Sequence, residues 1–292
     1  MYDLGQLKTF IAVVQEGHLT RASERLHISQ PTASHHIRAL EVHFGVPLFR
    51  RTARGLEVTP AGKRIAEWAG GVVQASHELD QRARQLVGVP AGRLAVGTVA
   101  DYRLMAAFPR AVRALRARFP LTEVSFEAGN SWTIRQALKT GELDAGAIVG
   151  HVRSEDLKCH ALGTLEYVLV GPGAWRERLE HATPEQIAAM PWIVTGRGTP
   201  SQEIIGRCFG EDGLDINVAV EVSNASLLRA MVAGEVGIGF MRQDDAFAGV
   251  EAGTFFALPR FQASLPLMFV HAQARSSDAV LACFTQALLD AS

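Results

Sequence analysis

The sequence predicts an all-α winged helix-turn-helix, a long linking helix and then an α/β domain, and three observations predict it. A Ser-capped helix after Ser29 carries separate apolar and polar faces, a seven-residue apolar repeat runs through residues 60–87, and from Arg93 short apolar strands alternate with helices. At 292 residues the chain is long enough for two or three domains with a substantial core.

Leu4, Leu7, Phe10, Ile11 and Val14 make the apolar stripe of a first helix. A second, short helix is expected from about Thr20, acting as its cap, to Leu26, with Ala22 and Leu26 inward and a turn at His27-Ile28. In the third, Ser29 can cap, and Pro31 is tolerated in the first turn, where backbone N–H groups have no intrahelical acceptor. Ala33, Ile37, Leu40 and Phe44 form its inward face. Gln30, Ser34 and Arg38 recur every four residues on another face and offer an amide, a hydroxyl and a guanidinium to base edges or phosphates, with His35 at the border. This order of helices is a helix-turn-helix. Val46 to Thr59 then reads as two short extended segments around an Arg- and Gly-bearing tip, a wing able to follow a phosphate backbone or enter a minor groove. The candidate DNA contacts are therefore Gln30, Pro31, Ser34, His35 and Arg38 on the helix and Arg50, Arg51 and Arg54 on the wing.

Thr59-Pro60 reads as a cap and first-turn proline, opening a helix to about Val87, before Gly88, Pro90 and Gly92. Ile65, Val72, Leu79 and Leu86 recur every seven residues, and Ala69, Ser76 and Ala83 lie four after the first three. Such a seam either meets a partner helix or packs on its own chain.

Beyond Arg93 the pattern argues for parallel sheets with crossover helices. Strands are expected at Leu94–Gly97, Val124–Glu127 and Ala145–Val149, with helices at Leu104–Phe119 and near Ile134–Lys139. Tyr167–Val170 begins a second set, with Trp192–Thr195, Ile204–Phe209, Val218–Val222, Leu227–Val232 and Val236–Phe240; Leu267–Val270 and a final helix through Leu289 close the chain. Ligands of open α/β sheets sit beyond the carboxyl ends of strands, at helix N-termini. That rule selects Thr98, Ala100 and Asp101, then Asn130 and Ser131, then Thr195, Arg197 and Ser201, and finally Ser223 and Asn224 as candidate ligand contacts. The competing reading is that Thr98, Ser131, Ser201 and Asn224 merely cap their helices. Arg197 would grip a carboxylate or phosphate, whereas Asp101 would bind an amine or cap a helix; the balance leans slightly to a small organic acid.

Residues 1–88 carry 11 Lys+Arg against 8 Asp+Glu, so the overall −1 divides into +3 there and −4 beyond. The bias suits DNA but is mild, which points to binding by a dimer or higher oligomer. No stretch approaches the roughly 20 apolar residues that span a bilayer, and no basic segment precedes an apolar run, so a cytoplasmic protein is expected. Cys159, Cys208 and Cys283 have no metal-ligand spacing, and the histidines at 18, 27, 35, 36 and 43 project from different helices, so no metal and no cofactor is expected. Nucleophile-elbow, phosphate-loop, dinucleotide and zinc-protease motifs are missing, and Gly234 to Gly239 reads as a turn, so an enzyme is not expected.

Ala22, Ser29-Gln30-Pro31, Ser34, Leu40-Glu41, Gly45, Leu48-Phe49, Arg51, Thr59 and Gly62 together resemble the LysR-type transcriptional regulators, and the resemblance extends over the whole chain. Ser23, His18 and His35 depart from the family's usual residues. The resemblance implies a winged helix-turn-helix over 1–59, a linker and dimerisation helix over 60–88, and a regulatory domain over 89–292. That domain would be periplasmic-binding-protein-like, with two Rossmann-like α/β lobes: lobe I over 89–162 plus 268–292 and lobe II over 163–267, joined by crossovers around 162–168 and 262–268. It further implies a small-molecule effector between the lobes, pairing of Ile65, Ala69, Val72, Ser76, Leu79, Ala83 and Leu86 across a dimer that can pair again into a tetramer, and double-stranded promoter DNA and RNA polymerase as partners. The three cysteines read as reduced structural thiols, against which stands the peroxide-sensing cysteine pair of some family members that Cys159 and Cys208 would imitate. The alternative is a solute-binding or interaction module that has a DNA-binding domain but no ligand-controlled transcription.

Overall fold

The structure is a computed structural model that describes residues 2–52, 55–86, 92–152, 154, 156–196, 198–210 and 213–291. The N-terminal module comprises α1 (Leu4–Glu16), α2 (Leu19–Arg25), α3 (Gln30–Phe44) and an antiparallel wing of β1 (Phe49–Thr52) and β2 (Gly55–Val58). Asp3 and Ser29 cap α1 and α3, each side chain accepting the backbone N–H three residues on. α2 starts one residue before the expected cap: His18 is extended and makes no side-chain cap bond, while Thr20 lies inside the helix and accepts from the Ser23 hydroxyl through its carbonyl. Leu7, Phe10, Ala22, Leu40 and Leu48 are fully buried in the module's core, and Leu4, at the helix start, is not.

Two polar side chains fix the wing. Glu41 Oε1 accepts the N–H groups of Leu48 (2.8 Å) and Phe49 (3.3 Å), and Thr59 Oγ1 donates to the Pro47 carbonyl (2.8 Å) while accepting from Gly62 N–H (2.9 Å). Gly62 is demanded by close approach, since a Cβ there would stand 2.3 Å from the Leu48 carbonyl oxygen. Thr59 so caps α4 (Pro60–Leu86).

Lobe I follows as β3 (Arg93–Thr98), α5 (Tyr102–Arg118), β4 (Glu123–Ala128), α6 (Ser131–Lys139) and β5 (Ala145–Val149). β6 (Leu157–Pro172) carries the chain into lobe II, built from α7 (Arg176–Glu180), α8 (Pro184–Ala189), β7 (Pro191–Thr195), α9 (Pro200–Ile205), a π turn at Gly206–Gly210, β8 (Asn217–Val222), α10 (Ala225–Ala233), β9 (Gly239–Arg242) and α11 (Gln243–Glu251). β10 (Phe255–Ala272) returns to lobe I and to α12 (Ala279–Leu289), which packs on α5.

The expectation of purely parallel sheets is corrected. The main sheet has the order β4-β3-β5-β10-β6-β9; β3 pairs parallel with β4 and β5, but β10 runs antiparallel to β5 and β6, and β6 antiparallel to β9. Tyr167–Val170 and Leu267–Val270 are pieces of strands 16 and 18 residues long that carry the chain out to lobe II and back, and a return path beside an outgoing one pairs antiparallel. The expected crossovers fall inside this ribbon, whose register shifts at Leu258/Gln262 and Leu267/Met268. β7 and β8 form a parallel pair joined to the β9 segment through a Trp192–Ile238 bridge, so the strand expected from Val236 begins only at Gly239. One apolar core passes without a break from Leu94 and Ile148 in lobe I, through Leu165, Leu169, Leu265 and Leu267 of the ribbon, to Trp192 and Phe240 in lobe II.

Where the ribbon crosses lobe I, His160 and His271 stack with ring centroids 5.3 Å apart and Nε2 atoms 3.2 Å apart. His271 Nδ1 lies 2.9 Å from the Ala272 carbonyl oxygen, so the neutral ring donates there and accepts from His160 at Nε2. Burial holds both imidazoles below their ordinary range. At His160 the neighbouring His271 and Lys158 add to it; at His271 the bond to the Ala272 carbonyl opposes it first, Lys158 and Arg275 add to it, and Asp278 opposes it. The unfolded chain therefore takes up protons first as pH falls, and stability drops as pH passes down through the ordinary value of 6.5. We expect the thermal midpoint to fall between about pH 7.5 and pH 5.5 and His271→Gln to flatten part of that slope; an unchanged slope in the variant would refute the pair's role.

Candidate functional site

On α3 the structure separates building residues from presenting ones. Ala33, Ile37 and Leu40 are buried, whereas Gln30, Pro31, His35 and Arg38 are exposed and Ser34 is half-buried on the outward side. His36, beside the presented His35, is occupied structurally: its Nδ1 bonds Thr9 Oγ1 at 2.8 Å and ties α3 to α1. On the wing, Arg50 pairs with Glu57 across the strands at 2.9 Å, both exposed, a weak tie that a phosphate could displace. Arg54, and the Arg51 side chain, lie outside the described residues.

The seam of α4 divides. Ala69 is buried and Ile65 half-buried against the module's own core, together with the unforeseen Val73, while Val72 (43 % exposed) and Leu79 (67 %) face out and Ser76 is half-buried. Trp68, which the seven-residue pattern did not single out, is 62 % exposed and lines a groove of about 560 Å³ with Tyr2, Phe44, Val46 and Val72. The side chains of Ala83 and Leu86 lie outside the described residues.

At the interlobe cleft the candidate residues prove mostly to be fasteners. Asp101 is buried: its Oδ1 caps α5 by accepting from Arg103 N–H (2.9 Å) and Leu104 N–H (3.2 Å), and its Oδ2 pairs with Arg242 Nη2 of lobe II at 2.9 Å. Arg242 also donates to the Ala100 carbonyl (3.2 Å), so it closes one mouth of the cleft onto the first candidate loop. Asn130 forms a reciprocal cap with Thr133 on α6, and Ser131, buried, accepts the Val149 N–H at 2.9 Å. Thr195 and Ser201 bond each other and Thr199, a hydroxyl cluster folded into its own loop. Asn224 caps α10 and bonds Ser223; both stay exposed. Thr98 is half-buried with its hydroxyl turned to the Val99 carbonyl, and Arg197 lies outside the described residues.

Two further contacts bridge the lobes. Gly198, at φ +71°, lies against Trp132 of α6, and a Cβ there would stand 2.4 Å from the Trp132 Cβ. On the other side, Glu203 of α9 holds His151 Nδ1 (3.0 Å) and Arg207, while Arg135 of α6 donates to the His151 carbonyl (3.2 Å). The loops at 98–101, 129–132 and 195–201 are thus brought against the opposite lobe. Arg242 escaped the sequence reading because the expected strand ended at Phe240 whereas β9 runs on to Arg242, and Glu203 and Arg207 escaped it because they lie within or after α9 rather than at a strand end. Burial pushes the Cys159 thiol above its usual range with Arg135 partly opposing, the reverse of an activated thiolate.

The Asp101–Arg242 pair generates a test. Asp101→Ala removes a helix cap and leaves a guanidinium buried without its carboxylate, so urea unfolding should show a loss of about 3 kcal/mol or more. Asp101→Asn keeps an acceptor at the cap and should lose less. Equal losses would mean that the charge contributes nothing.

Comparison with known proteins bears on both halves. Residues 4–63 match the family model described as bacterial regulatory helix-turn-helix protein, lysR family, and residues 88–292 match the LysR substrate binding domain. Among curated relatives, the transcriptional regulator YofA of Bacillus velezensis is 27% identical over 82% of this chain and 80% of its own length. The uncharacterized transcriptional regulator YeiE of Escherichia coli is 28% identical over 90% and 89%. The crystal structure of ArgP from Mycobacterium tuberculosis shares the fold, with a TM-score of 0.53 at 18% identity over 100% of this chain and 97% of that one. With both domain families matched in order along nearly all of the sequence, the chain belongs to the LysR-type transcriptional regulators, DNA-binding proteins that pair a helix-turn-helix with a substrate-binding domain.

Proposed function

We propose that this regulator reads double-stranded promoter DNA as a dimer, with α3 of each copy in a major groove and each wing beside it. Gln30, Ser34 and Arg38 face base edges and phosphates, Pro31 and His35 flank them, and Arg50, Arg51 and Arg54 serve the backbone. The observation that carries this reading is the outward row Gln30, Ser34, Arg38 on a helix whose opposite face is fully committed to the core. Val72, Ser76 and Leu79 on α4, extended by Ala83 and Leu86, supply a face for a second copy, with Ile65 and Ala69 supporting it from the module's core. A second exposed apolar groove, lined by Met105, Phe108, Val112 and Phe126 on α5 and the edge strand β4, supports further association into a tetramer.

The regulatory half, taken as 89–292, binds a small molecule between the lobes and acts without catalysing a reaction. Arg197 with the loops at 98–101, 130–131, 195–201 and 223–224 lines the site, and a small organic acid suits its one proposed cation. Ligand would bias one arrangement of the lobes, altering how the paired modules grip and bend DNA and thereby their contact with RNA polymerase in the cytoplasm. No described helix is long and apolar enough to cross a membrane. The alternative of a module without ligand-controlled transcription is not favoured, because both matched domains are those of regulators.

Three measurements test the proposal. Gln30→Ala and Ser34→Ala should flatten preference at one base position, worth about 1–3 kcal/mol of discrimination, whereas Arg54→Ala should weaken binding to all sequences alike; a uniform loss from Gln30→Ala would contradict its role in base readout. Leu79→Arg should shift the sedimentation profile toward smaller species, and an unchanged profile would remove α4 from the interface. Finally, organic acids, amino acids and aromatic metabolites should be screened by thermal unfolding of the full chain. A true ligand at about a hundred times its Kd adds roughly 2.7 kcal/mol and should raise the regulatory domain's midpoint by roughly 5–10 °C. A response confined to amines would overturn the organic-acid assignment.

A further inference from the structure

The winged module is seated on its own regulatory domain, and the seat is α6. Arg25, at the end of α2, reaches across to Glu142 in the turn after α6 with Nη2 2.6 Å from Oε2. Its other terminal nitrogen holds Gln15 Oε1 (2.7 Å) and Glu16 Oε1 (3.3 Å) of α1. One guanidinium therefore gathers two helices of the module and one turn of lobe I, each acceptor engaging a different N–H of the planar fork. Between them lies a cavity of about 240 Å³ whose walls are Glu16 and Arg25 on one side and Glu127, Trp132, Gln136 and Glu142 on the other. α4 also passes close to the end of α6, at Gly70 and Lys139.

Trp132 has two neighbours that make this seat more than a resting place. It faces the cavity under the winged module, and its Cβ and ring carbons stand where Gly198 of lobe II comes closest. The same helix starts at the Asn130 cap, beside Ser131, which holds β5 through Val149. A displacement of the 195–201 loop thus meets Trp132 directly, and nothing softer than a glycine separates the two. The ion pair at the far end of α6 is partly solvated on both sides, about 30% and 39% exposed, so it is a tie that moderate force can open.

We infer that α6 is an intramolecular lever, with Arg25–Glu142 latching the winged module to lobe I and Trp132 carrying the position of the lobe II loop at Gly198 to that latch. This deepens the proposed ligand response and rests on it only for what moves the loop; the latch and the lever are testable with neither ligand nor DNA.

The test uses the full chain labelled with 5-fluorotryptophan, whose four Trp resonances include one assigned to Trp132 by Trp132→Phe. Glu142→Arg and Arg25→Glu should each move the line of Trp132, 37% exposed under the latch, further toward that of a fully solvated indole. The double variant Arg25→Glu/Glu142→Arg should bring it part of the way back, since the carboxylate placed at position 25 then faces Glu16. The line of Trp192, buried in lobe II, reports that the regulatory domain is intact. An unmoved Trp132 line in both single variants, or a double variant that brings it no part of the way back, would overturn the latch. Gly198→Ala should move the Trp132 line from the lobe II side and quicken amide exchange at Leu26 and Ile28, next to Arg25. If Trp132 moves while exchange there stays as in the parent protein, the lever is refuted even though the latch stands.

Discussion

β6 and β10 run side by side through the whole regulatory domain, and every interlobe arrangement is bounded by that ribbon. Leu165, Leu169, Leu265 and Leu267 belong to the core that crosses both lobes, while Val168, Val170 and Phe255 are buried in a second cluster in lobe II, so a slip of one residue would turn the first set out of its core. Shear is therefore excluded, and the motion left to the lobes is twist and bend of two strands. The register shifts at Leu258/Gln262 and Leu267/Met268 are where an antiparallel ladder yields most readily. Loops at the ends of strands on either side of this spine can approach or separate while the core beneath them stays packed.

The contacts that cross the cleft differ in strength, and the difference assigns them different parts. Asp101 is buried and Arg242 largely so, with the carboxylate also engaged at the start of α5, so this pair anchors one mouth of the cleft. Glu203, His151 and Arg207 are more exposed and exchange partners easily. Gly198 against Trp132 is a steric contact with no polar component. A ligand wedged between the lobes would thus work against the softer contacts while the anchored side acts as a pivot. The N-terminal module follows the opposite design: Glu41 and Thr59 lock the wing to the helices, leaving a rigid reading head.

The head was legible because its signals are local. Spacing along α3 alone distinguished Ala33, Ile37 and Leu40 from Gln30, Ser34 and Arg38. The residues that carried the family resemblance acquire physical reasons in the structure: Glu41 accepts two wing amides, and Gly62 admits the Leu48 carbonyl. The cleft was less legible. The rule that ligands sit at strand ends picked out loops of which three meet the opposite lobe, but it could not tell a presented side chain from a cap, and Asp101, Asn130, Ser131 and Asn224 are all caps or braces. It also missed Arg242, because the expected strand stopped at Phe240, and Glu203, whose partner His151 lies in a lobe far away in sequence. The ribbon was missed for a related reason: strands of 16 and 18 residues serve two lobes with different surroundings, and only their best-buried stretches carry an unbroken apolar signature. On α4 a seven-residue repeat could not separate Ala69, which faces the chain's own core, from Leu79, which faces away from it.

If two copies pair through α4 as proposed, their rigid heads are held at a fixed separation and should recognise DNA with two-fold symmetry. Selection of bound sequences by the full chain from a random double-stranded pool measures this directly. Enrichment of an interrupted inverted repeat, with half-sites about one helical turn apart or a multiple of it, is the expected result. Enrichment of a single unrepeated half-site, or recovery of sequences no different from the starting pool, would contradict it.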